Sequence, residues 1–466
     1  MGTTILSPKY GNNNDAFIPE MWANESLAIL EENMVLANII HRDFSPTIAK
    51  FGDTVNTRKP SEFTARRKDM TDNVTIQDAT ATNIPVVLNQ HVHTSFIIYD
   101  GEESKAFKDL VAEYLRPAML ANARLLDRVV AGQYHRFISN ARTAGKLQSL
   151  TNSTAKRYIL DTRNAQNLLK VPEDNGRNFA ITPISETEIL DTDIFLSAEK
   201  VGDGGTALRE ASIGRKLGYN FWMSQNVPYV DVAGTIDTAA GTITSATAAG
   251  NTASMACTVS GYDVAVGSWV TIAGDMQPYR VTARTFSTNT TAITVDRPLK
   301  FGCSGSAVLT AYKTCTVNLS GGYAAGYSKT IVLDGFTSGK FLQVGQILST
   351  ATVNYTVINV ESASGTAQTV TLDRPLEASL ANDEVLYPGP AGAYNLALHK
   401  NALGLVVRPL AAPKVSGLLA SVVNYNDLSM RAVITYDGNK QGHLVTLDFL
   451  CGIAALDLDL GAIMFG

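Results

Sequence analysis

Residues 291–300 read TAITVDRPLK and residues 369–378 read TVTLDRPLEA, so Asp-Arg-Pro-Leu occurs at 296–299 and again at 373–376. The echo is wider than four residues. VGSWVTIAGDMQPYRVTARTFSTNTTAITVDRPL (266–299) and VGQILSTATVNYTVINVESASGTAQTVTLDRPL (344–376) share one skeleton. It consists of Val-Gly, a short strand, Tyr-x-Val, a turn, and a strand ending in the tetrapeptide, with Val266 matching Val344 and Tyr279 matching Tyr355. Pro298 and Pro375 cannot donate a ladder hydrogen bond, so they mark strand exits. Asp296 beside Arg297, and Asp373 beside Arg374, can pair locally or cap the turn. The pattern predicts two related β-units, about 255–312 and 329–389, as two modules or two halves of one barrel.

Outward from the repeat, residues 231–389 are rich in Thr, Ser, Gly, Ala and Val. Turn residues recur there every ~8–12 positions, an all-β signature. Mixed pattern lies on both sides, which predicts a β-domain inserted in an α+β body. Upstream, 17–44 reads as a helix in which Trp22, Leu27, Leu30, Met34 and Ile39 share a face, with Asn24 or Ser26 as cap. A second helix is expected over 104–141, capped by Ser104 and kinked by Pro117 near 113–116. Between them, 51–99 reads as a long two-stranded arm with its tip near 68–83; Val86, Leu88, Val92, Phe96 and Ile98 fall on one face. Residues 155–225 alternate helix and strand, and helical and mixed pattern is expected to resume over 393–410. A hairpin is expected around Asp437-Gly438-Asn439-Lys440.

Composition narrows the function classes. The 466 residues suit about two to four domains. A formal net charge of −5 argues against a chain that coats nucleic acid by overall positive charge. No run of about 18 apolar residues is present, so no membrane-spanning helix is expected. Cys257, Cys303, Cys315 and Cys451 form no CxxC pair and read as buried or half-buried free thiols of a reducing cytoplasm, with Cys303 and Cys315 meeting across a hairpin as the alternative. His91 and His93 share a strand face without a third ligand. Gly202-Asp203-Gly204-Gly205 lacks the Lys-Ser/Thr of a phosphate loop. His41, His135, His399 and His443 stand singly. No nucleophile–base signature is present, so no catalytic residue, metal or cofactor is expected. The one basic cluster is Arg58, Lys59, Arg66, Arg67 and Lys68 on the arm. Inter-subunit ion pairing is the leading reading of it, with a solvated face or a nucleic-acid contact as alternatives.

Several stretches, in this order and spacing, resemble the major capsid (coat) proteins of tailed bacteriophages with the Hong Kong 97 fold, closest to the podophage subgroup with an inserted β-domain. They are FIPEMWANE (17–25), FGDTVNTRKP (51–60), TSFIIYDGEESKAFKDLVAEYLRPAMLANARLLD (94–127), IGRKLGYNFWMSQNVP (213–228), LALHKNALGLVVRPL (396–410), and the tail around ITYDGNK and DFLCGIAAL. The resemblance implies an N-terminal arm with helix (1–45) and an extended β-hairpin loop overlapping a neighbour (46–100). It implies a peripheral domain with a spine helix (101–179) and a first axial part (180–230). The inserted β-domain (231–389) follows, and 390–466 completes the axial and peripheral domains. The implied function is a non-enzymatic coat subunit in hexamers and pentamers, enclosing double-stranded DNA without sequence-specific contacts. Its implied partners are scaffolding and portal proteins and a decoration protein, its location the virion capsid after assembly in the bacterial cytoplasm. The competing expectation is a host-surface or glycan-binding β-module protein of a virion, with Trp269 and the tyrosines as candidate contacts.

Overall fold

In the computed structural model the described residues are 18–44, 50–59, 63–71, 73–79, 82–99, 111–138, 143–197, 210–232, 234–250, 255–259, 264–287, 290–327, 329–413, 418–425 and 427–466. The Gly202–Gly205 stretch and the Ser104 cap lie outside them.

The first helix, Ile18–Asn33, buries Trp22, Leu27 and Leu30, and Met34 and Ile39 beyond it are buried too. It is shorter than the expected 17–44. Asp127 is the reason: its carboxylate accepts Val35 N–H at 3.0 Å and Ala37 N–H at 3.1 Å, replacing helical carbonyls and turning the chain into the 3-10 turn Leu36–Asn38. Asn24 and Ser26 lie inside the helix and do not cap it; the Ser26 hydroxyl donates to Ala23 O at 2.8 Å.

The helix expected over 104–141 is interrupted. A π-helical turn, Val111–Leu115, precedes the helix Arg116–Gly132, and a short helix His135–Ile138 follows. The π turn falls beside Pro117, whose missing N–H leaves an upstream carbonyl to be satisfied otherwise. The break after Gly132 has a different cause. Gly132 O accepts the Thr356 hydroxyl at 2.8 Å and His135 Nδ1–H at 2.6 Å. The 17-residue helix spans about 25 Å, and residues 104–110 and 139–141 of the expected helix lie outside the described residues.

The stretch 393–410, expected to be helical, is two strands, Gly392–His399 and Leu403–Arg408, joined by the 3-10 turn Lys400–Ala402. Both are buried almost throughout. A run buried on both faces loses the period-2 signal that separates strand from helix. Gly392–His399 lies between Gly461–Phe465 and Arg177–Ile181 in a seven-stranded sheet. Leu403–Arg408 lies in a five-stranded sheet with Gly442–Ala455, Leu428–Asp437 and Leu418–Tyr425.

The strand Gln90–Tyr99 pairs with Gly442–Ala455 over ten consecutive residues. It therefore belongs to the body and not to the arm. Val92 and Ile98 point into the core while His91 and His93 face outward, as alternation requires. The arm proper is Thr54–Lys59 paired with Thr82–Val87.

Residues 238–388 form two closed six-stranded barrels. The first uses Thr238–Ile243, Met255–Val259, Trp269–Ile272, Tyr279–Ser287, Thr290–Val295 and Val308–Tyr312. The second uses Cys315–Val317, Ile331–Asp334, Ile347–Ser349, Asn354–Ser364, Ala367–Leu372 and Val385–Pro388. Numbered by position within each barrel, both close in the order 1-2-5-4-3-6. The duplication thus covers whole barrels, more than the two sequence copies spanned. Both fourth strands carry a bulge two residues after the matched tyrosine, at Val281/Ala283 and Val357/Asn359. The barrels differ in where their cores go. The first keeps its own, built from residues such as Ile243, Val281, Ile293 and Leu309. The interior of the second, including Val357, Val370 and Leu386, is continuous with the core around Leu126, Val130 and Tyr134.

Candidate functional site

Two surfaces carry the sequence-predicted residues: the clamps of the barrels and the projecting arm.

The repeated tetrapeptide is a clamp that ties the exit of the fifth strand to the start of the fourth. In the first barrel, Asp296 Oδ1 accepts Arg280 N–H at 3.1 Å, and Arg297 donates to Pro278 O at 2.6 Å. The Arg297 guanidinium lies 4.8 Å from the Tyr279 ring centroid, and the Tyr279 hydroxyl accepts Lys300 N–H at 3.0 Å. The second barrel repeats each bond. Asp373 Oδ1 accepts Thr356 N–H at 2.9 Å, Arg374 donates to Asn354 O at 2.7 Å, and Arg374 lies 4.7 Å from the Tyr355 ring. The Tyr355 hydroxyl accepts Glu377 N–H at 2.9 Å. Leu299 and Leu376 fill the cores below. The four residue types divide the labour. Asp accepts from an orphan N–H, and Arg donates from a plane that stacks on the ring. Pro supplies a donor-free exit, and Leu plugs the core. Pro298 is exposed and Pro375 is buried.

The matched Val-Gly is explained likewise. Gly267 and Gly345 hold φ of +98° and +90°, and their N–H groups donate to Val281 O at 2.8 Å and Val357 O at 2.7 Å. The same position also meets the next body in each case. A Cβ on Gly267 would lie 2.8 Å from the Tyr387 ring of the second barrel, and one on Gly345 would lie 3.0 Å from Pro228 of the body.

The clamps have different surroundings. Arg280, next to the first clamp, reaches the second barrel, donating to Ala351 O at 3.0 Å and to Asn354 Oδ1 at 3.3 Å. Trp269 Nε1–H donates to Ser349 Oγ at 3.0 Å, also across the two barrels. This buried tryptophan is a joint, unsuited to contact a glycan. The turn that leads into the first clamp binds the body: Leu147 N–H donates to Met276 O at 2.8 Å, and Gln277 donates to Gly145 O at 3.0 Å. The second clamp binds the end of the long helix. Gln133 donates to Asp373 Oδ2 at 3.1 Å, Arg374 Nη1 lies 2.8 Å from Asp373 Oδ2 and 3.2 Å from His135 Nε2, and Tyr134 Oη–H donates to Gly345 O at 2.6 Å. Asp373 is fully buried, and burial pushes its carboxyl upward against the pull of Arg374. Body, second barrel and first barrel therefore form a closed circuit. No sequence signal pointed to Gln133, Tyr134 or His135, because their partners lie more than 200 residues away.

The arm is the opposite kind of surface. Its root is seated by Val86, Leu88 and Val406 with Val55, and Lys59 pairs with Asp457 at 2.7 Å. Lys59 is thus engaged within its own chain. Beyond the strands, Gln77 bridges the two sides, accepting Thr64 N–H at 2.9 Å and donating to Thr64 O at 2.6 Å. Arg66, Arg67 and Lys68 are exposed at the tip. Phe63, Met70, Val74 and Ile76 are 63%, 100%, 74% and 86% exposed. Arg58, on the first arm strand, is exposed as well.

The other titratable groups read plainly. His91 Nε2 lies 2.9 Å from Asp448 Oδ2, which also pairs with Arg431. Among the described residues no group of three His, Cys, Asp or Glu side chains is placed to hold a metal. Burial pushes the Cys257 thiol up to about 11 and that of Cys451 up to about 12, so both are poor nucleophiles near neutrality. None of the four cysteines is in a disulfide, Cys303 and Cys315 included.

No family model and no curated protein matches the chain. Among solved structures the chain is similar to the capsid structure of Cyanophage P-SCSP1u, with TM-score 0.45 and 10% identity over 93% of this chain and 88% of that one. It is also similar to the capsid of Ralstonia phage GP4, with TM-score 0.40 and 8% identity over 100% and 98% of the two chains. A structure from Mycobacterium phage Che8 is similar with TM-score 0.41 and 10% identity over 92% and 90%.

Proposed function

We propose that the chain is a structural coat subunit that self-assembles into the icosahedral shell of a tailed bacteriophage, a shell that encloses double-stranded DNA. The observation that carries this reading is the arm. Phe63, Met70, Val74 and Ile76 stand on a segment that has no body of its own to bury them. Apolar side chains clustered on a projection mark a contact with another molecule. A second copy of the chain satisfies that need for every subunit at once, and a closed shell multiplies modest contacts. On this reading Arg66, Arg67 and Lys68 pair with carboxylates of the neighbour and Arg58 lies along the same contact, while Lys59 anchors the arm to its own body through Asp457. The subunit works in pentamers and hexamers, with scaffolding, portal and decoration proteins as partners, and it performs no catalysis.

The test is electron microscopy and sedimentation of the full chain, with and without a scaffolding partner. Capsomers or shells are expected, and replacing Phe63, Met70, Val74 and Ile76 by Ser should abolish them while the subunit stays folded. Monodisperse monomers under every condition would overturn the reading.

A further inference from the structure

The seam between the second barrel and the long helix contains a buried histidine whose protonation state can be read from its neighbours. His135 Nδ1 lies 2.6 Å from Gly132 O, which can only accept, so Nδ1 carries the proton. His135 Nε2 lies 3.2 Å from Arg374 Nη1, which can only donate, so Nε2 is bare. The imidazole is neutral, and it closes the second clamp onto the helix.

We propose that His135 is an acid-sensitive catch between the second barrel and the long helix, and that its protonation releases the barrel from the body. A proton added at Nε2 would place N–H against the guanidinium N–H of Arg374 inside a buried site. Charged neighbours face the ring from each element packed against it. Arg136 on the same short helix adds a second cation, and Arg374 of the clamp is the first. Glu377, on the exit of the fifth strand, is the opposing anion; it is exposed and already paired with Arg374 at 2.7 Å. Asp373 is engaged by Arg374, Gln133 and Thr356 N–H. Tyr134 is buried, and burial keeps its hydroxyl neutral. Burial together with the two arginines holds the docked imidazole well below its ordinary range.

Undocked, His135 takes a proton near its ordinary value of about 6.5; docked, it resists. Docking is therefore complete above about pH 6.5 and weakens as the pH falls, by up to about tenfold per unit. Burial raises the Asp373 carboxyl, so that group opposes the trend as the pH nears the carboxylate range, and this bounds the window from below. The first barrel is a built-in control, because its clamp has no imidazole against Arg297. The catch belongs to the single subunit and does not rest on shell formation.

The experiment is amide hydrogen exchange on the full chain from about pH 7.5 to about pH 5.5, corrected for intrinsic exchange. Protection of 128–138 and 354–376 should fall by up to about tenfold per unit below about pH 6.5, while 278–300 holds. His135→Gln keeps an acceptor for Arg374 but cannot be protonated, and it should flatten the response. Equal pH dependence in the variant and the parent, or none in the parent, overturns the proposal. Should His135→Gln fail to fold, carbon and nitrogen shifts of the parent's imidazoles decide. The proposal requires the neutral Nδ1–H form of His135 at pH 6 in the protected state, and an imidazolium there with protection intact defeats it.

Discussion

The two barrels contain the same clamp and use it differently. In the first, Asp296 is partly solvated and lies 3.5 Å from Arg297; in the second, Asp373 is fully buried and lies 2.8 Å from Arg374. The bonds that hold the fourth strand to the fifth are the same in both. What differs is the neighbour: the second barrel and the 143–147 stretch of the body for the first clamp, the helix end for the second. A duplicated module can thus keep its internal wiring while each copy's outer face fits a different partner. The charge pair that merely closes a turn in one copy becomes a desolvated joint in the other.

The largest test of that contrast removes the arginines. Arg374→Ala strands the buried Asp373 carboxylate and should cost about 3–5 kcal/mol. Arg297→Ala leaves a carboxylate that water can reach and should cost about 1–3 kcal/mol. Denaturant unfolding followed by exchange in each barrel measures both, and equal losses would erase the distinction. Next comes the approach of the helix. A Cβ on Gly132 would lie 3.0 Å from Asp373 Cβ and 3.4 Å from Thr356 Cβ. Gly132→Ala should therefore loosen the second barrel by about 1–3 kcal/mol and spare the first.

The tyrosines reverse the ranking. Tyr279 also donates to the buried Asp275 at 2.9 Å, whereas Tyr355 has no such carboxylate partner among the described residues. Tyr279→Phe should cost about 1–3 kcal/mol and Tyr355→Phe about 1 kcal/mol, read as shifts of each barrel's unfolding midpoint. The arm sets the floor. Met70→Ser or Ile76→Ser removes side chains that touch little in the subunit, and should change its stability by less than about 0.5 kcal/mol. A larger shift would mean that the arm is held by its own chain.

What the sequence disclosed follows the range of each interaction. The repeat was legible because both ends of each clamp lie within about twenty residues, and donor-free prolines and a positive-φ glycine leave marks in residue type. The buried face of the first helix was legible from Trp22, Leu27 and Leu30 for the same local reason. Its end was not, because Asp127 terminates it from a distant helix. Residues 393–410 were misread because a strand buried on both faces has no alternation to show. The arm was overextended because Val92, Phe96 and Ile98 alternate in any half-buried strand, and only the partner Gly442–Ala455 says which sheet owns them. The candidate contacts Arg58, Arg66, Arg67 and Lys68 were found as a charge cluster. The apolar residues around them carried no periodicity, since nothing in the subunit buries them.

The entry and exit of the barrel pair touch: Tyr229–Val230 pairs with Ala393–Gly392. This bears on folding order. The seven-stranded sheet cannot complete that pairing until a long intervening chain has been looped back. The entropy of such closure grows by only about 0.6 kcal/mol per doubling of loop length, but it must be met before the contact returns anything. Two barrels, each closed by pairings within itself, can fold first and bring their ends together, shortening the effective loop. The barrel pair then acts as an internal template for the body's seven-stranded sheet, and removing it should change the speed at which that sheet closes as well as the strength with which it holds.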